Sequence, residues 1–116
     1  MHRLLTIAVL LAGCQVEAPA VCTEMCQVAT SLYGECLAED GVDWTAAGYA
    51  DGDDHQDRCE TWAWEMAVLE DDAVARGDAE AEGATARVCA ERRDILSADT
   101  AVCADYTDTD WNAPPW

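Results

Sequence analysis

Six cysteines, Cys22, Cys26, Cys36, Cys59, Cys89 and Cys103, are spread through the C-terminal four-fifths of the chain, and they restrict what it can fold into more than any other feature. An even set of thiols in a chain this short reads as a framework of three disulfides that supplements a limited hydrophobic core. Each bridge is worth on the order of 3 kcal/mol through its effect on the unfolded chain. Zinc would need closely spaced ligand pairs, but no C-x-x-C spacing occurs and His55 is the single histidine after His2.

The spacing of apolar residues between these cysteines is helical throughout. In residues 21–39, Cys22, Met25, Cys26, Ala29, Leu32, Tyr33, Cys36 and Leu37 recur at three and four, and Gly41 ends the run. At about 100° per residue, Cys22, Cys26 and Cys36 fall within roughly 40° of one another, so this face must meet the rest of the fold. Residues 42–56 form a connection in which Asp43 caps a short turn stopped by Gly48, with Trp44 and Tyr49 folding back onto the core. A second helix is expected from an Asp54 N-cap to about Arg76, with Cys59, Trp62, Met66, Leu69 and Ala73 as its inner stripe. Gly77 and Asp78 punctuate the chain before a third helix over 79–96, whose inner side carries Thr85, Val88, Cys89, Arg92, Ile95 and Leu96 and whose first turns Gly83 weakens. Ser97 or Asp99 caps a short fourth helix bearing Cys103, and an irregular tail with Pro114-Pro115 follows. The expected fold is therefore all-α: a small disulfide-braced bundle of three helices with a short fourth helix and an irregular tail. An antiparallel hairpin of the first two helices would pair Cys36 with Cys59, leaving Cys26 with Cys89 and Cys22 with Cys103, although fifteen pairings are formally open.

The N-terminus carries the one resemblance to a known class. Met1-His2-Arg3 precedes the apolar run Leu4 to Leu11, which is the layout of an export signal and too short to span a bilayer. The run closes in Leu11-Ala12-Gly13-Cys14, which resembles the lipobox of bacterial lipoprotein precursors at all four of its positions. That resemblance implies a thioether-linked diacylglycerol on Cys14, cleavage just before it, and a membrane anchor made of acyl chains. Gln15 after the lipid site, where an Asp would favour the inner membrane, implies an outer-membrane destination by the same likeness. The corresponding division of the chain is 1–13 signal, 14–20 lipidated tether, 21–105 cysteine-rich helical domain and 106–116 aromatic and Pro tail.

Charge narrows the partners. All 24 acidic residues lie beyond Cys14 against five arginines (Arg58, Arg76, Arg87, Arg92 and Arg93), and lysine is absent. Nucleic acid and anionic lipid both require a basic surface, so neither is expected as a ligand. The densest acidic segment, 51–57, offers Asp51, Asp53, Asp54 and Asp57 as oxygen ligands for calcium, but it matches an EF-hand loop only in part: the central Gly is missing and Trp62 stands where a closing Glu belongs. Enzymatic chemistry has less support, since Ser31 and Ser97 sit in no nucleophile elbow and the thiols are expected to be oxidised. Trp64, Val68 and Ala75 make a second apolar strip on the outer face of the second helix; the chain's own tail, with Tyr106, Trp111 and Trp116, is expected to cover it, and a partner-binding patch is the other reading. The expectation for function is a non-enzymatic interaction or structural module of the envelope, without a cofactor and with an envelope protein as partner; a calcium-binding surface protein working through 51–57 is the alternative.

Overall fold

The computed structural model describes residues 15–111, so Cys14 and Trp116 lie outside the described residues. The described chain is helical: α1 (Ala20–Glu39), α2 (Gly52–Ala75), a single 3-10 turn (Ala79–Ala81), α3 (Ala84–Ser97) and α4 (Cys103–Thr107), with no strand among these residues. Their arrangement follows from which residues meet. Cys26 bonds Cys59, and Thr30 meets His55, so α1 and α2 run antiparallel. The Glu70 carboxylate receives the N–H groups of Gly83 and Thr85, which turns α3 back along α2. Cys22–Cys89 and Cys36–Cys103 have the same sequence separation of 67, which requires α3 and α4 to follow α1 in parallel. The result is an up-down-up bundle with α4 beside the end of α1.

Helix ends are set by local chemistry. α1 and α2 both finish in the same six-to-one pattern: Val42 N–H donates to the Leu37 carbonyl at 2.9 Å, and Asp78 N–H to the Ala73 carbonyl at 3.0 Å, with Gly41 and Gly77 as the residues that reverse the chain. Asp51, rather than the expected Asp54, is the N-cap of α2, its side chain accepting from Asp54 N–H at 2.8 Å. The third helix is shorter than its apolar period suggests. Gly83 takes φ +75°, a left-handed conformation that ordinary side chains resist, and so divides 79–96 into the 3-10 turn and α3. The final helix begins after Val102 instead of at Ser97 or Asp99, and Asp105 accepts the Val102 N–H at 2.8 Å.

The core is built from small side chains and sulfur. Cys22, Met25, Cys26, Ala29, Ala63, Cys89 and Leu96 form its buried cluster, and the largest fully buried side chains are Met25, Thr85 and three half-cystines. Ala29 and Ala63 allow close approach of the helices, and the bridges fill the space that Leu or Phe would occupy elsewhere. Leu69 and Ile95, expected on inner faces, are 43% and 53% exposed.

All six expected cysteines are bonded, but with a pairing different from the expected one: Cys22–Cys89, Cys26–Cys59 and Cys36–Cys103. The cause lies in the connection before α2. Trp44 and Tyr49 fold back onto Tyr33, so the chain returns along α1 before α2 begins, and Gly52 abuts the same Trp44 ring that Gly34 touches. Cys59 is thereby carried past Cys36 to Cys26, about ten residues or ~15 Å further down the helix.

Cleavage at Glu24 and at the acidic residues of the later helices should release Cys22 joined to the Cys89 peptide and Cys26 joined to the Cys59 peptide by mass spectrometry. Replacing Cys22 and Cys89 together by Ala should lower unfolding free energy in urea by about 4 kcal/mol, the chain-entropy value for a loop of roughly this length.

Candidate functional site

The densest cluster of functional side chains surrounds His55, on the first turn of α2. Its imidazole is 3% exposed. One ring nitrogen, Nδ1, lies 2.7 Å from Thr30 Oγ1 on α1, and the other, Nε2, lies 2.7 Å from Tyr106 Oη on α4. Tyr33 stacks on Tyr106 at 4.5 Å and on His55 at 5.3 Å, while Tyr49 sits edge-on to His55 at 4.8 Å. Trp44 completes the enclosure because Gly34 leaves space for it: a Cβ at that position would stand 3.0 Å from the indole. The ring of His55 thus joins three helices and one connection at a single point.

Burial, aided by the nearby Arg58 charge, pushes the His55 pKa down against the pull of Asp54, so the neutral imidazole is favoured. Burial also pushes the Tyr106 phenol up, with Tyr49 and Tyr33 adding to the effect. A neutral imidazole has one N–H donor and one acceptor nitrogen, and the Thr30 and Tyr106 hydroxyls can satisfy either tautomer. Both nitrogens are engaged within the fold, so the ring acts as a clasp that links α1, α2 and α4.

Beside this clasp lies a hollow of about 120 Å³ lined by Tyr49, His55, Arg58, Trp62, Tyr106 and Trp111. Two of its lining side chains, Trp62 and Trp111, meet edge to face at 5.4 Å, and the Arg92 guanidinium lies over both, 4.9 Å from each ring centre. Arg92 Nη2 also donates to the Asp110 carbonyl at 3.1 Å. Burial pulls the Arg92 pKa down while Asp110 works the other way, and the two indole faces supply further stabilisation of the charge. The chain after α4 is held down by this contact.

The expected site residues separate into three groups. In the acidic segment, Asp54 accepts from Ala50 N–H at 2.9 Å and pairs with Arg58 at 3.1 Å, while Asp51 caps the helix; two of the four carboxylates proposed for calcium are thus engaged in starting α2. These contacts hold the Asp54 carboxyl below its ordinary range, the Ala50 N–H being the largest cause. Among the described residues no group of three or more His, Cys, Asp or Glu side chains is placed to hold a metal ion. Trp111, expected over the outer strip of α2, instead packs on Trp62 and Tyr106 at 5.4 Å from each. There it joins Trp62, Tyr106 and Arg92 at the edge of the core.

Compared with models of protein families, with curated proteins and with solved structures, the chain matches none of them. Its own geometry therefore carries the functional argument.

The outer strip is met from the other end of the chain. Gln15 and Val16 share a hollow with Trp64 and Val68, and Trp64 Nε1 donates to the Val16 carbonyl at 3.1 Å. Trp64 is still 49% exposed. Below it, Val16, Glu17 and Pro19 lie along Ala67, Asp71 and Val74 of α2, and Ala18 packs against the core. The segment read as a tether is laid onto the domain. A second element invisible to local sequence reading is Glu70, whose carboxylate caps α3 from a different helix. Burial works to raise its pKa, but the N–H donors of Thr85 and Gly83 hold it below the ordinary carboxylate range.

Because His55 is held neutral when folded, its contribution to stability is complete above the unfolded-state value of about 6.5 and declines as pH falls below it. Urea midpoints of wild type and His55→Asn, measured between pH 7.5 and 5, should converge toward acid, since only in the wild type does the ring at position 55 take up a proton when unfolding exposes it. Tyr106→Phe should cost about 1–2 kcal/mol by leaving an imidazole nitrogen without its partner.

Proposed function

We propose that this chain matures into a lipid-anchored, non-enzymatic module of the cell envelope, attached through acyl chains on Cys14 and acting by contact with an envelope protein. The observation that carries the reading is the course of residues 15–19: they are packed against α2 and the start of α1, so Gln15, the residue that would follow a lipidated Cys14, lies on the surface of the domain. A lipobox directly before that point places the attachment where the fold can be presented by its anchor. Three disulfides agree with an oxidising compartment outside the reducing cytoplasm, and no helix among the described residues is long and apolar enough to cross a membrane.

A binding rather than a catalytic role is supported by how the reactive groups are used. The six thiols after Cys14 are bonded in pairs, and His55 is occupied at both nitrogens. The outer-membrane destination follows from Gln15 by likeness to lipoprotein sorting.

Intact-mass measurement of the protein extracted from its native membranes should give a polypeptide beginning at Cys14 and carrying acyl chains, and globomycin should cause the longer precursor to accumulate. A mature chain starting at Met1 without lipid would overturn the proposal. Capture of the partner should use carboxylate-directed cross-linking, because a chain without lysine offers almost no amines to ordinary reagents.

A further inference from the structure

We propose that the outer face of α2 around Trp64 and Val68 rests on the bilayer, at the headgroup level of a zwitterionic phospholipid surface. This rests on the lipid-anchored reading above and adds to it a fixed orientation of the domain.

The argument starts from the length of chain between anchor and fold. Gln15 and Val16 form one hollow with Trp64 and Val68, and the Val16 carbonyl accepts the Trp64 indole N–H at 3.1 Å. Consecutive Cα atoms are about 3.8 Å apart, so the Cα of Cys14 lies within roughly 8 Å of that of Val16. No slack is added further along, because Ala18 packs against the core and the Pro19 carbonyl already receives the Cys22 N–H of the first turn of α1. Acyl chains leaving Cys14 therefore enter the membrane beside Trp64, and the domain cannot swing away from them as it could on a free linker.

The side chains at that exit suit an interface. Trp64 is 49% exposed and stands next to Val68 one turn away; with its N–H already satisfied by the Val16 carbonyl, it turns the apolar body of the ring outward, and indoles settle at the interfacial level of bilayers. Burial of this pair needs a surface that is apolar below and polar at its rim. Charge then selects the lipid: Glu17 precedes α1 beside Val16, while Glu60 and Asp71 flank Trp64 and Val68 at helical spacing on α2. An anionic surface would be repelled by these carboxylates, whereas the ammonium groups of phosphatidylethanolamine can meet them.

The test uses the mature protein reconstituted in phosphatidylethanolamine and phosphatidylcholine vesicles whose acyl chains carry bromine, a short-range quencher of indole emission. Flotation and intact mass first establish that the protein is acylated and vesicle-bound; absence of acyl groups would refute the lipid-anchored reading itself, and this orientation with it. With the anchor in place, wild-type emission should fall relative to unbrominated vesicles, and Trp64→Phe should lose less than half as much. Val68→Glu, which keeps the Trp64 fluorophore but sets a charge on the same face, should float normally and show weaker quenching than wild type. Far-ultraviolet circular dichroism and the disulfide map confirm that each variant is folded. Equal quenching of wild type and Trp64→Phe in an acylated, floating protein would overturn the orientation.

Discussion

The structure depends on one face of one helix. α1 carries half of every disulfide, at Cys22, Cys26 and Cys36, and through them it holds α3, α2 and α4 in turn. This arrangement compensates for a core with little bulk, in which alanines and half-cystines occupy most of the buried positions. A chain of this size buries too little apolar surface for generous stability, and covalent restriction of its unfolded state makes up the difference. Close packing and cross-linking support each other here: small residues bring the helix axes near enough for the bridges, and the bridges hold helices that small residues alone would hold weakly.

The second constraint is charge. A formal net charge of −18 opposes compaction, yet several carboxylates are placed where the fold uses them. Asp51, Asp78 and Glu70 accept backbone N–H groups at helix or turn starts, where the macrodipole also favours a negative charge. Arg92, by contrast, lies over two indoles that meet edge to face and ties down residues 110 and 111 beyond α4.

Much of this was legible in the amino-acid order, and the failures have identifiable causes. The helical period of the cysteine-bearing segments, the glycines that end α1 and α2, and the bonded state of the six thiols follow from local rules. Pairing does not, because it depends on how far the connection between the first two helices travels back along α1, which Trp44, Tyr49 and the notch at Gly34 decide together. The cap of α2 shifted from Asp54 to Asp51 since both are competent and only the three-dimensional path of residues 49–51 distinguishes them. The Glu70 cap was hidden because donor and acceptor are 13 to 15 residues apart. Trp64 is legible as lying on an outward strip, but its neighbours are not: Trp111 packs on Trp62 beside Arg92, and Gln15 and Val16 are the residues that meet Trp64. His55 stands out in the sequence as the lone histidine after His2; that it joins α1 to α4 follows only from the convergence of Thr30 and Tyr106 on it.

The interlacing of the three bridges has one more effect. Their spans overlap so that every peptide bond from Cys22 to Cys103 is enclosed by at least one of them. A single proteolytic nick anywhere in that stretch would sever the backbone without releasing a fragment, and the two pieces would travel as one particle until a reductant reached it. Backbone damage of that kind is tolerated, and loss of a piece requires either a second scission or a change of redox surroundings.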